Sequence, residues 1–355
     1  MIKRISKLSW IINNACNLKC IHCYPDSGIE HKKVFTDDEF KKMLDNFEGM
    51  HFHRTFLSGG EPILDKNFNK YLQIAKQISD EVFICSNGTL LSESKLNELV
   101  GKGINGIVLS CQAIDADSAL NIYGNAQVPA LVFEAIERIQ KYNIAFSVEI
   151  SLMKQNISQL DSIIERLISS GVNSLSFKRL LPVGRGDSTE VGLSKEENYE
   201  ILKKIYDWQV AHNDIRFNVH DPLYGTILLD HLGELCDNPA MMRWMHGFSC
   251  RAGTRWIGID PFGNVSPCPI LLYKDAIIGN ILKNSLIDIL NTSSLIALFQ
   301  KVDIKNSNSC KYGNFCLGCR ATAVAKRKSI FSKDPMCIHE NELCPISTIK
   351  DMGGN

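Results

Sequence analysis

The residues best suited to chemistry are cysteines. Cys16-x-x-x-Cys20-x-x-Cys23 sets three thiols on one short stretch. A 4Fe–4S cube has four irons, so three cysteine ligands leave one iron open to an outside ligand, whereas electron-transfer clusters close that position with a fourth cysteine. The alternatives at this point are a zinc knuckle, with His22 as fourth ligand, or thiols that merely cluster. A second set stands late in the chain: Cys250-x12-Gly263-x4-Cys268, then Cys310-x5-Cys316-x2-Cys319, then Cys337 and Cys344. Zinc ribbons are the alternative there, but seven spread cysteines favour clusters. The remaining three of the 13 cysteines, Cys85, Cys111 and Cys236, are scattered. Cys85 and Cys111 end apolar runs and read as small core hydrophobes.

The elements that must position these groups follow from periodicity. Strands are expected at Leu8–Ile12, Arg54–Leu57, Val82–Cys85, Gly106–Ser110, Ala145–Ile150 and Leu175–Arg179. Helices lie between them: one opened by the capping box Thr36-Asp37-Asp38-Glu39, then Phe68–Ile78, Ser92–Val100, Pro129–Tyr142 and Gln159–Ser169. Strands and helices alternating at this spacing imply a parallel sheet with right-handed crossovers, and function at the carboxyl ends of its strands. The cysteine loop, Gly59-Gly60-Glu61-Pro62 and Ser86-Asn87-Gly88 follow the first three strands at that end.

The whole chain fits this reading. Its 355 residues suggest about two domains. Lys and Arg total 39 against 39 Asp and Glu, so no bulk polyanion-binding charge exists, and nucleic acid is not an expected partner. No long apolar run suggests a membrane span, and no export signal precedes Leu8, so a cytoplasmic location is expected. An odd cysteine count in such a chain argues against a disulfide framework.

With Cys16, Cys20, Cys23, Tyr24 and Gly59-Gly60-Glu61-Pro62 in that order, residues 8–225 resemble the radical S-adenosylmethionine (SAM) enzymes. The resemblance implies that the three cysteines hold a 4Fe–4S cluster whose open iron chelates SAM. It implies that Tyr24, Gly59, Gly60, Glu61, Ser86, Asn87 and Ser110 bind SAM, the glycines by letting backbone come close and Glu61 as an acceptor for the methionine ammonium. One departure stands out. Many relatives carry an arginine about twelve residues past Ser110, paired to the SAM carboxylate; here Ile122 and Tyr123 occupy that place, and Lys178 or Arg179 is the expected substitute. Residues 250–344 resemble the SPASM extension, which holds auxiliary 4Fe–4S clusters. By that analogy Cys250, Cys268 and Cys319 ligate one cluster, with Cys236 able to complete it. Cys310, Cys316 and Cys337 ligate another, where Cys344 or an oxygen ligand replaces the cysteine expected at Ser307 or one iron is left open.

Together these readings describe an α/β protein: a partial (β/α)6 barrel with a C-terminal cysteine-rich auxiliary-cluster domain. The expected division is a core at 1–225, a linker at 226–249, the auxiliary domain at 250–345 and a tail at 346–355. Glu149, a carboxylate in an apolar strand, joins Arg179 and Tyr224 as a candidate catalytic residue. His220-Asp221-Pro222 reads as a turn or as positioning groups, and Lys326-Arg327-Lys328 as solvated surface. The expected activity is a SAM-dependent radical oxidation of a peptide or protein, or of a small-molecule substrate, driven by a flavodoxin or ferredoxin. Only some ten residues precede the first strand, so a separate peptide-recognition protein is expected. The competing activity is tetrapyrrole modification of the haem-propionate type, for which Lys178, Arg179 and Arg185 are the candidate cations. A non-catalytic zinc protein is the alternative from another class.

Overall fold

The computed structural model describes residues 5–28, 34–188, 190–232, 250–272, 276–301, 310, 312, 316–327 and 329–339. The sequence readings placed on Cys236, Ser307, Cys344, Lys328, residues 233–249 and the tail at 346–355 lie outside the described residues.

Seven strands run parallel in chain order: β1 (Lys7–Ile11), β2 (Phe52–Ser58), β3 (Ser79–Ser86), β4 (Gly106–Ser110), β5 (Ala145–Leu152), β6 (Ser174–Arg179) and β7 (Arg216–Val219). Later chain extends the other edge. β8 (Trp256–Ile259) pairs in parallel with β1, and β9 (Asn264–Ser266) and β10 (Gly279–Asn280) add antiparallel strands. The sheet order is β10-β9-β8-β1-β2-β3-β4-β5-β6-β7, so the sheet stays open, as expected of a partial barrel. β7, β8, β9 and β10 are additions to the six strands predicted. β7 is four residues long, and β8 is recognised as a strand of this sheet only through its pairing with a segment some 250 positions away, which no local pattern reveals.

The helices are α1 (Asp37–Asn46), α2 (Phe68–Ile78), α3 (Glu93–Gly101), α4 (Ala116–Tyr123), α5 (Val128–Ile139), α6 (Leu160–Ser169), α7 (Lys195–Ala211) and α8 (Tyr224–Leu232), followed late in the chain by α9 (Leu286–Thr292), α10 (Ser294–Lys301) and α11 (Arg320–Arg327). Their starts are chemically marked. The Thr36/Glu39 and Ser194/Glu197 capping boxes open α1 and α7, and the Asp115 side chain accepts the Ser118 N–H at 2.8 Å to open α4. α4 is absent from the sequence reading because its two turns bury only Ala119, Ile122 and Tyr123.

Strand alternation divides the sheet into two faces. Leu8, Trp10, Leu57, Ile84, Leu109, Val148 and Ile150 are fully buried beneath the helices, with Trp10 edge-on to Tyr71 at 5.2 Å. The intervening residues, among them Ser9, Phe56, Cys85, Ser110, Glu149 and Lys178, line the concave side.

Arg179 and Tyr224 fall on the wrong side for chemistry. Arg179 follows Lys178 and so points away from the concave face. Its guanidinium donates to Asp221 (Nε–Oδ2 2.8 Å, with a second bond to Oδ1) and to Asp334 (Nη1–Oδ2 2.7 Å). Asp221 also accepts from Asn198 at 2.9 Å, and Asp334 accepts the Cys319 N–H at 2.7 Å. All three charges are buried, and the pair of carboxylates holds Arg179 firmly protonated despite the burial that opposes it. His220-Asp221-Pro222 is therefore a turn whose carboxylate holds Arg179 of β6, and Arg179 in turn reaches the late cysteine region through Asp334. Tyr224 is fully buried, and its hydroxyl donates to Gln209 of α7 at 2.5 Å. Neither residue is available to a substrate.

Removing one member of a buried ion network leaves the others uncompensated. Arg179→Met is expected to lower stability by about 3–5 kcal/mol, read as a fall in the urea midpoint; an unchanged midpoint contradicts the clamp.

Candidate active site

The first cysteine loop has almost no regular structure, so neighbouring segments must satisfy its backbone. It closes on itself where the Cys16 N–H donates to Gly28 O at 2.7 Å and the Gly28 N–H to Asn14 O at 3.0 Å. It is then fastened to the segment after β2. The Gly60 N–H donates to Asn13 O (3.1 Å), the Glu61 N–H to Ala15 O (2.7 Å), and Asn13 Nδ2 to Glu61 O (3.1 Å). A Cβ on Gly60 would lie 2.1 Å from Ala15 O, and one on Gly59 2.4 Å from Asn13 Oδ1. The glycines are thus required by the cysteine loop itself, a different reason from the approach to SAM inferred from sequence.

Two further braces reach the loop from other elements. Arg185 donates to Cys20 O (Nε, 2.8 Å), to Ser27 O (Nη1, 2.8 Å) and to Asp26 (Nη1, 2.6 Å). Gly184, at φ +59°, lets that turn approach so closely that a Cβ would sit 2.5 Å from the carbonyls of Cys23 and Tyr24. From α4, Ile122 O accepts the Ile21 N–H at 2.9 Å, and the Tyr123 hydroxyl meets the Gln112 N–H at 2.5 Å. The residues that stand where relatives carry an arginine are therefore committed to the loop.

The loop's chemistry suits a cluster. The Cys16 and Cys23 sulfurs accept backbone N–H groups from Leu18 (3.4 Å) and Ser27 (3.3 Å), and burial raises the Cys16 thiol with the Leu18 N–H opposing. Burial first, then the neighbouring charges of Cys23 and Cys16, pushes the Cys20 thiol up to about 12. A metal centre is what brings such thiols into the ligand form. Among the described residues no group of three or more Cys, His, Asp or Glu side chains is arranged to hold a single metal ion. A cube makes no such demand, because each of its ligands binds a separate iron. His22, the proposed fourth zinc ligand, is buried edge-on to Tyr123, and burial pulls its pKa down to about 4.

Beside this loop sits the segment expected to take SAM. Glu61 is fully buried. Its Oε2 accepts from the Asn87 N–H (2.8 Å) and Ser86 Oγ (3.1 Å), while Oε1 has no aligned donor. Burial raises the carboxyl to about 7, with the Asn87 and Ser86 donors opposing. A buried carboxylate oxygen in this state fits an ammonium ligand such as that of SAM. Asn87 Nδ2 also approaches Cys16 Sγ at 3.8 Å, and Ser110 ends β4 on the concave face.

The concave face itself is charged. Glu149 pairs with Lys178 at 2.6 Å. Burial opposes the Lys178 charge, yet Glu149, Cys85 and Cys268 hold its pKa above the usual range. Cys85, read from sequence as a core hydrophobe, lies on this face, its thiol raised by burial to about 12 with Lys178 and Glu149 as neighbours. Cys111 does pack in the core, fully buried. Tyr24 is kept strongly protonated by burial and by the nearby Cys85, Cys23, Glu149 and Cys268. His220 stands edge-on to Trp256 and is neutral, its pKa lowered to about 3 by burial and by Lys178 and Lys7.

The late cysteines form two groups. Cys268 and Cys319 each feel Cys250, and Cys268 also feels Cys319. Cys310, Cys316 and Cys337 line a common cavity together with Asp334, Tyr312 and His339. No disulfide involves any described cysteine. Among the described residues no helix is long and apolar enough to cross a membrane, and Lys326 of the basic run pairs with Asp187 at 2.8 Å.

Gly60→Ala is expected to displace the cysteine loop and sharply reduce iron bound after anaerobic reconstitution. Cys85→Ser, which leaves the braces intact, is expected to bind iron as the wild type does. Equal iron in both variants contradicts the fastening described here.

Comparison with known proteins agrees with this geometry. Residues 10–167 match the radical SAM superfamily and residues 250–320 the SPASM iron–sulfur cluster-binding domain. The chain is 24% identical to the AdoMet-dependent heme synthase of Methanosarcina barkeri, covering 94% of this chain and 96% of that one. It is 26% identical to the mycofactocin maturase MftC of Mycolicibacterium smegmatis, covering 93% and 82%. The fold is shared with Streptococcus suis SuiB bound to SAM (TM-score 0.71, 17% identity, 94% and 76% covered) and bound to its precursor peptide SuiA (TM-score 0.73, 16% identity, 94% and 74% covered). Three thiols, a buried glutamate beside them and a second cysteine region on the same sheet belong together here: the chain is a radical SAM enzyme with a C-terminal SPASM domain.

Proposed function

We propose that this enzyme oxidatively modifies a peptide substrate held against the concave face of the sheet, residues 1–225 forming the catalytic core and 250–345 the auxiliary-cluster domain. The observation that carries the reading is the position of Cys268, near enough to Tyr24 and Lys178 for its charge to bear on both. The group formed by Cys250, Cys268 and Cys319 thus borders the same chamber as Cys23. A site for an electron acceptor beside a radical-forming site suits an oxidation.

When bound, the 4Fe–4S cluster and SAM supply a 5′-deoxyadenosyl radical that abstracts hydrogen. The chain's own residues have narrower tasks. Cys16, Cys20 and Cys23 hold the cluster, and Glu61 Oε1 accepts the SAM ammonium beside Ser86, Asn87 and Ser110. Lys178 is the cation nearest to the chamber for the SAM carboxylate or a substrate carboxylate. Glu149 holds Lys178 in place and offers an acceptor for a proton released on oxidation. A flavodoxin or ferredoxin supplies the reducing electron, and a separate protein presents the peptide.

The names of the mycofactocin maturase and of SuiB with its precursor peptide support a peptide substrate. The heme synthase similarity supports the competing tetrapyrrole reading. Of the three cations nominated for propionates, however, Arg179 is bound to Asp221 and Asp334, Arg185 to the cysteine loop, and Lys178 to Glu149.

In an anaerobic, dithionite-driven assay the wild type is expected to release 5′-deoxyadenosine, and the Cys16/Cys20/Cys23 triple alanine variant none. Cys268→Ala is expected to keep deoxyadenosine formation while losing oxidised peptide product. Product formation undiminished by Cys268→Ala removes the electron-acceptor role, and zinc without SAM cleavage removes the whole reading.

A further inference from the structure

Strand register gathers positive charge at the end of the sheet opposite the first cysteine loop. Lys7 of β1 lies level with Arg54 of β2 on one side and with Trp256 of β8 on the other. These side chains start the concave face at the amino ends of the strands, and Arg251 and Arg255 stand on the turn leading into β8. That turn is locked to β1, since the Ser6 and Lys7 N–H groups both donate to Arg255 O, at 3.0 and 2.9 Å. The Lys7 ammonium lies over the Trp256 ring at 5.4 Å.

The local carboxylates offset only part of this charge. Glu81 is engaged by Arg54 (Nε–Oε2 2.7 Å), and the exposed Asp80 is engaged by His51 (2.7 Å) and His53 (3.3 Å). Lys7 and Arg255 have no ion-pair partner among the described residues. Burial, and then the charges of Arg54, Arg251 and Arg255, lowers the Lys7 pKa. Like charges held together in a half-buried position disfavour the empty protein and favour an anionic ligand.

Further residues of the same face lie inward of this group. Phe56 stacks on Trp256 at 6.0 Å, His220 meets Trp256 at 6.2 Å, and beyond them stand Lys178, Glu149 and Cys85 before Tyr24 and the cysteine loop. A chain laid along this wall would cross an aromatic stretch between a cationic mouth and the reaction chamber.

We propose that this mouth, built from Lys7, Arg54, Arg251 and Arg255 around Trp256, binds an acidic segment of the substrate peptide and so sets which residue reaches the chamber; the proposal rests on the peptide reading above. A run of Asp or Glu meets Lys7 and Arg255, with Arg54 and Arg251 adding to the local field, while an adjoining residue passes Trp256 and Phe56.

The test uses anaerobically reconstituted full-length enzyme and three probes: a fluorescein-labelled Glu/Gly peptide, the matched Gln/Gly peptide, and coproporphyrin as a propionate-bearing non-peptide. Binding is read by anisotropy for the peptides and by absorbance for the porphyrin. The Glu peptide is expected to bind, to weaken as salt rises, and to lose about tenfold in affinity in Lys7→Gln/Arg255→Gln. Lys7→Arg/Arg255→Lys is expected to retain binding, and circular dichroism with substrate-free deoxyadenosine formation checks that both variants fold and cleave SAM. Equal affinity for the Glu and Gln peptides, or binding unchanged in Lys7→Gln/Arg255→Gln, overturns the mouth while leaving a peptide substrate in place. Binding of coproporphyrin with neither peptide bound overturns the mouth's occupant and the peptide reading together.

Discussion

A loop that presents three thiols to one cluster must be rigid, yet it cannot form a helix or strand of its own while turning each sulfur to the same place. Its backbone polar groups still need partners. Here they come from the chain just past β2, through the exchange of main-chain hydrogen bonds between Asn13–Cys16 and Gly60–Glu61. The same contact brings Glu61 under Ser86 and Asn87, so the segment proposed to take SAM and the cysteine loop are positioned by one packing event. Arg185 and α4 then brace the loop from opposite sides. Most of what surrounds the loop, including Gly184 and the Ile122 carbonyl, makes sense as support for this constraint.

The second organising feature is the buried charge network of Arg179, Asp221 and Asp334. Buried ion pairs add little net stability over apolar packing, but they are strict about geometry. This one joins the end of β6, the turn after β7 and the segment carrying Cys319 and Cys337. β8 adds a second joint by pairing with β1. The described late cysteines are thus fixed relative to the chamber.

Much of this was legible in the sequence because it depends on local spacing. The six strand–helix units, the capping boxes and the placement of Cys16–Cys23, Gly59–Glu61 and Ser86–Asn87 at strand ends follow from period and turn chemistry. The grouping of Cys250, Cys268 and Cys319 was reached through family resemblance. Residues whose role depends on which way a strand faces were harder. Arg179 and Lys178 are neighbours in sequence, and a shift of one position puts one in the helix layer and the other in the chamber. Cys85 went to the chamber for the same reason, while Tyr224, at the start of α8, went to the core through helix packing against α7.

The sequence by itself determined the chemistry available: thiol ligands in a spacing that leaves an iron open, a carboxylate two strands' reach from them, and a parallel α/β frame. It did so because metal ligation and helix capping are read over a few neighbouring residues. Only the tertiary structure decided what Gly60 is small for, which arginines are spent on scaffolding, and where charge accumulates. The chain as a whole carries as many acidic as basic side chains. Yet parallel pairing of β8 with β1 sets Arg251 and Arg255 beside Lys7 and Arg54, because strand register adds up charges that lie far apart along the chain.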